Sequence, residues 1–251
     1  MVYKSGHERP PATYWNVEEL ISRIAQRPQM YIGILSIRNL FYFLQGHYIY
    51  GKCSGFSINI DGYFHTEFLG WVQQWFALNL EKEDSMLSHP WYQLLIEYTD
   101  TEEAALQLFF EVSKNFFKEY HAQKRKKIYE MKKVEVDECP NKEKIIAKIQ
   151  SAPQLYLEEV NLRNLYFFLA GFSSCRDRLH MSDYSDAYYT KHFSRWLNSW
   201  MTSYLGETNE LEWEPFWYSY VTKYVKSKEK ALQLFFKASN EFFTEYHQHE
   251  E

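Results

Sequence analysis

The chain has 251 residues, 45% of them hydrophobic, and a net charge of −5. That is enough apolar material for one large core or for two cores of about 100–120 residues each. The acidic balance argues against a general nucleic-acid binder, and the 9 Gly and 7 Pro are too few for a many-stranded, turn-rich β protein. No apolar run approaches the roughly 20 residues that span a bilayer. The N-terminal stretch MVYKSGHERPPATYW is too polar for a signal peptide. Cys53, Cys139 and Cys175 are odd in number and widely spaced, which points to reduced thiols and a cytoplasmic location. Aromatic residues reach 19%, so the core is expected to be built from rings.

In chain order, Val17, Leu20, Ile21 and Ile24 fall on one face of a helix over 17–26, with Asn16 placed to cap it. Pro28 stops that helix. A second helix is predicted from Ser36 to about Gly46, with the glycine as its C-cap. Residues 47–65 are expected to form a variable loop in which FSINI alternates as a short strand would. Phe68, Trp71 and Trp75 are again spaced as in a helix. WYQLLIEY at 91–98 is too short for its periodicity to decide between helix and strand. Ala105, Leu108, Phe109, Val112, Phe116 and Tyr120 make one stripe along a helix over 102–120. The fold class is therefore all-α, with about four to five helices per unit.

The chain then repeats itself. Residues 27–46 align without a gap to 152–171 with nine identities in twenty positions, where chance would give about one or two. Residues 105–121 align to 231–247 with twelve identities in seventeen. Asn141 and Ile145, Ile146 and Ile149 repeat the first capped helix, and Asn161 to Gly171 the second. Two homologous helical domains from an internal duplication are expected: an N-terminal arm (1–15), unit 1 (16–121), a charged linker (122–140) and unit 2 (141–251).

Few residues suggest chemistry. RPQMYIG (27–33) resembles a phrase of gyrase-type ATPases, but the helix after it holds no Glu, and Asp61-Gly62 is followed by Tyr63 rather than a second glycine. On the structural reading, Met30, Tyr31 and Ile32 plug a helix junction. The histidines have no metal spacing, and no P-loop, Gly-x-Ser-x-Gly or His-Glu-x-x-His occurs. No catalytic residue, metal or cofactor is therefore expected. Arg38-Asn39 and Arg163-Asn164 are the matched charged-polar pairs, expected to cap and bond backbone. The linker cations Lys124, Arg125, Lys126, Lys127, Lys132 and Lys133 are diluted by neighbouring acids.

Charge is distributed unevenly, with unit 1 at −6. Both units place acids in one equivalent loop before a matched Trp-Tyr. Unit 1 has Glu81, Glu83 and Asp84 before Trp91 and Tyr92; unit 2 has Glu207, Glu210, Glu212 and Glu214 around Trp213 and before Trp217. A solvated loop explains such acids. A docking patch for a basic protein explains them too, with the rings as anchors.

The landmark order in each unit resembles small α-helical immunity proteins of bacterial polymorphic-toxin and contact-dependent inhibition systems. The landmarks are an Arg-Pro-x-Met-Tyr-aliphatic-Gly phrase, a Phe-Leu-x-Gly helix, a Phe-x-x-Trp helix, a Trp segment and a helix with adjacent Phe residues. Unit 1 carries them through Arg27, Pro28, Met30, Tyr31, Gly33, Gly46, Trp71 and Trp91, whereas unit 2 departs at Ala152 and Glu158. The resemblance implies a cytosolic, non-enzymatic protein that binds and occludes a cognate toxin, of which many are nucleases with basic clefts. A two-domain interaction adaptor is the alternative.

Overall fold

The computed structural model describes residues 13–80, 89–123, 140–207, 211–212 and 214–249. Among these there is no strand. In chain order the elements are α1 (Val17–Gln26), α2 (Pro28–Ile32), α3 (Ile37–Cys53), α4 (Asn59–Leu80), α5 (Trp91–Thr99) and α6 (Glu102–Ala122). Then follow α7 (Lys142–Ser151), a 3₁₀ turn (Pro153–Leu155), α8 (Leu162–Arg178), α9 (Tyr184–Leu205), α10 (Trp217–Tyr224) and α11 (Lys228–Gln248). Helices with matching sequence have matching lengths: 10 residues for α1 and α7, 17 for α3 and α8, 22 for α4 and α9, 21 for α6 and α11. α5 and α10 differ by one, with 9 and 8.

The starts of these helices follow from side chains that satisfy orphan backbone N–H groups. Asn16 accepts from the N–H of Glu19 and Asn141 from that of Lys144. Ser36 accepts from Asn39 N–H and Asn161 from Asn164 N–H. Thr101 and Ser227 cap α6 and α11 in the same way. Pro28 does end α1, and it then opens α2 from its first position, where a missing N–H costs nothing.

The expectation of a loop after Gly46 changes, and two open alternatives are decided. The predicted loop after Gly46 is largely helix, because α3 continues to Cys53 and α8 to Arg178. FSINI is no strand; its last two residues begin α4. WYQLLIEY is helical, as α5.

The matched glycines are not C-caps. They lie inside α3 and α8, where these two helices make the most extensive contact in the molecule. A Cβ on Gly46 would overlap the carbonyl oxygen of Phe168, and one on Gly171 would overlap that of Phe43. Phe43 and Phe168 are themselves matched positions, so the contact is reciprocal, as across a local twofold axis. Glycine is needed here because two backbones touch. The buried side chains of both halves consequently join in one continuous cluster rather than two separate cores.

That cluster is built of rings. Phe68 meets Phe109 and Phe116 edge-on at 5.6 and 5.1 Å, and Phe193 meets Phe235 and Phe242 at 6.0 and 5.3 Å. Such edge-to-face pairs contribute about 0.5–1.5 kcal/mol each beyond their burial. The indole N–H groups at the rim also find partners. Trp71 donates to Glu119 at 2.8 Å and Trp196 to Glu245 at 2.7 Å, the same bond in each half.

Candidate functional site

The acidic loop of unit 2 is partly described. Glu207 is exposed, and the Glu212 side chain is 82% exposed. Glu212 and Glu214 do not stand free: both accept from Lys223 Nζ, at 3.0 and 2.9 Å. These two hydrogen bonds push the Lys223 ammonium above its ordinary pKa. Two carboxylates against one ammonium leave the cluster net negative. The Glu214 backbone N–H also donates to Tyr220 Oη at 3.1 Å, which fixes this end of the loop. Glu81, Glu83, Asp84, Glu210 and Trp213 lie outside the described residues, as do the basic positions 124–133.

Trp91, Tyr92 and Trp217 are not surface anchors. They are 8%, 0% and 7% exposed and belong to the core. Trp91 stacks on Phe109 at 4.7 Å and Trp217 on Phe235 at 4.4 Å, again the same pair in each half. A Trp-Tyr dipeptide after an acidic loop resembles a binding anchor, but here packing turns Trp91, Tyr92 and Trp217 inward and leaves only Tyr218 half-buried. The apolar side chains that do reach the surface are others. Met30 and Leu155, at matched positions, are 69% and 80% exposed. Of the three residues expected to plug the α1–α3 junction, Ile32 is buried and Tyr31 half-buried, while Met30 points out.

Gly33 has a positive φ of 67°, which suits glycine at the end of α2. A Cβ there would also come within 2.8 Å of Phe216 Cζ. The last residue of RPQMYIG thus accommodates a ring from the other half.

Asp61 has a structural role. It accepts from the Val17 backbone N–H at 2.7 Å, and Asp186 accepts from that of Lys142 at 2.8 Å. Each carboxylate thereby anchors the start of the first helix of its half. Burial raises both acids above the usual carboxylate range, while the N–H donors pull the other way. The neighbours differ. Tyr14 Oη donates to Asp61 at 3.0 Å and lies over Gly51. Arg176, at the position matching Gly51, pairs with Asp186 directly. Both acids sit at the same 125-residue offset as the first matched block, and that was the signal in the sequence. The divergent neighbours hid it.

The Arg-Asn pairs join the halves. Asn39 and Asn164 donate to the Ile32 and Glu159 carbonyls at 2.9 and 2.8 Å, so each Asn bonds backbone as expected. Arg38 reaches across to the Glu159 carboxylate at 3.1 Å, and Arg163 Nε donates to Asn39 Oδ1 at 2.9 Å. Neither arginine serves as a helix C-cap. Glu159 gathers Tyr92 Oη at 3.1 Å and Gln93 Nε2 at 3.3 Å as well. Nothing in the sequence distinguished Glu159, because Ile34 occupies its position in the other half.

No group of three or more His, Cys, Asp or Glu residues with metal-binding geometry occurs among the described residues. No helix among them is long and apolar enough to cross a membrane. No family model, no curated protein and no solved structure matches the chain.

Proposed function

We propose that this chain is a non-enzymatic, cytoplasmic immunity-type protein that binds one cognate toxin and occludes its active site, and that its halves arose by duplication. The observation that carries the reading is the acidic edge between α9 and α10. There Glu207 and the Glu212–Lys223–Glu214 cluster keep net negative charge at the surface of a rigid helical frame. The matched segment of unit 1 also carries acids in its sequence, at Glu81, Glu83 and Asp84. The landmark order shared with immunity proteins supports the same reading, as do the matched helix lengths. A toxin with a basic cleft, such as a nuclease domain, is the partner such an edge fits.

Charge reversal tests this. Glu81, Glu83, Asp84, Glu210, Glu212 and Glu214 are changed together to lysine, and toxin neutralisation and association rate are measured. The association rate is expected to fall by about tenfold or more at low salt. Unchanged neutralisation and rate would remove the acidic edge from the mechanism.

A further inference from the structure

The approximate twofold axis makes the molecule its own comparison. In the first half a cleft at the start of α3 is closed by a carboxylate from the second half. Glu159 enters it and meets Arg38, Tyr92 and Gln93. Arg38 is also 3.6 Å from Glu102, the first residue of α6, which accepts from Ser36 Oγ as well. The cation of this cleft is thus answered by two acids.

The matching cleft in the second half is open. It has a volume of about 370 Å³, and its lining includes Arg38, Asn161, Arg163, Tyr218, Lys226 and Lys228. Arg163 stands where Arg38 stands in the first cleft, and Tyr218 where Tyr92 does. The acids, however, are reversed. Lys226 replaces Asp100, and Lys228 replaces Glu102. Ile34, 55% exposed, takes the position of the entering Glu159. Among the described residues no carboxylate pairs with Arg163, Lys226 or Lys228. Arg163 donates to Asn39, and Lys226 donates to the Lys223 carbonyl at 2.9 Å.

We infer that this second cleft is a carboxylate-binding site that takes an acidic side chain of a partner protein, in the way the first cleft takes Glu159. The first cleft shows what an arginine and a tyrosine hydroxyl in this frame do with a carboxylate: they bind it. The second keeps both groups, adds two lysines and lacks the internal plug. An arginine with a positioned hydroxyl favours a carboxylate presented on a folded segment, and the flanking lysines raise its local concentration. The site is distinct from the acidic edge and does not depend on the toxin reading.

The probe is the plug itself. A blocked hexapeptide of residues 155–160, LYLEEV, is titrated against the full chain and followed by amide and arginine Nε–H chemical shifts. Shifts are expected at Arg163 and Tyr218. A peptide with Gln in place of its second Glu is expected to bind at least tenfold more weakly. So is the intact peptide to a Lys226→Glu, Lys228→Glu protein, whose two changes lie at the surface. An Ile34→Glu protein supplies its own plug and is expected to lose peptide binding. Inorganic phosphate is titrated in parallel. Binding of phosphate but not peptide would overturn the proposal in favour of a small-anion site. Absence of peptide binding, or binding unaffected by the Gln peptide and by all three substitutions, would overturn it outright.

Discussion

Burial holds the His47 imidazole at about pKa 4, against an ordinary 6.5, with the nearby Arg178 charge acting in the same direction. The ring is neutral near pH 7 and hydrogen-bonds the Trp15 carbonyl through Nε2 at 3.0 Å. Because the folded pKa lies below the unfolded one, the unfolded chain takes up the proton first. The contribution of His47 to stability is therefore complete above pH 6.5 and is lost as pH falls toward 4, amounting to about 3 kcal/mol. Asp61, raised by burial, works the other way as pH falls through its own pKa. A His47→Gln variant isolates the histidine. Urea unfolding at pH 7 and pH 4.5 is expected to show a smaller acid loss in the variant than in the parent chain. Equal losses would mean that the imidazole is not buried neutral. A second residue-scale prediction concerns the Arg176–Asp186 pair, whose side chains are 7% and 2% exposed. Asp186→Ala leaves a buried guanidinium without its principal partner and the Lys142 N–H without an acceptor. It is expected to destabilise by about 3–5 kcal/mol in chemical unfolding. A loss under about 1 kcal/mol would mean that the pair is solvated.

The crossing of α3 and α8 is where single substitutions separate two roles of glycine. Gly46→Ala and Gly171→Ala each drive a methyl group into a facing backbone carbonyl that has no rotamer to give. Each is expected to lower stability by roughly 3 kcal/mol or more, visible as a fall in melting temperature. Gly70 lies inside α4 with nothing within 4 Å of its notional Cβ. Gly70→Ala is expected to raise stability by about 0.5–1 kcal/mol. If all three alanines behaved alike, the close approach at the crossing would be wrong. The same glycines show where sequence reading reaches its limit. The helix starts were legible because Asn16, Ser36, Asn141 and Asn161 cap their own neighbours, a local effect. A matched glycine ending an apolar stripe fits a C-cap equally well as a crossing point. The backbone that decides between them, Phe168 for Gly46 and Phe43 for Gly171, is more than 120 residues away. Trp91 and Trp217 were misplaced for a related reason: an acidic loop before them suggests exposure, and only the packing of α5 and α10 shows their rings against Phe109 and Phe235.

For the molecule as a whole, the shared core decides how the halves behave. Phe43, Phe168 and the two crossing glycines face each other across the boundary, and Arg38–Glu159 and Arg163–Asn39 close its rim. Separated chains of residues 1–121 and 141–251 would each expose that face. Neither is expected to give a cooperative melting transition alone, and mixing them is expected to restore one. Independent cooperative folding of both would show two autonomous domains, as an adaptor with one surface per unit requires. The repeated sequence pattern was readable because helix stripes recur in register. The open cationic cleft was not, since it depends on the reversals at Lys226 and Lys228 being brought beside Arg163. The central claim, that the chain is an inhibitor of one basic protein toxin, is tested most directly by affinity purification from the native cell with identification and assay of what is retained. One near-stoichiometric basic protein, whose toxic activity the added chain suppresses at a one-to-one ratio, is the predicted result. Several unrelated proteins, no protein above background, or a partner whose activity the chain leaves intact would contradict it.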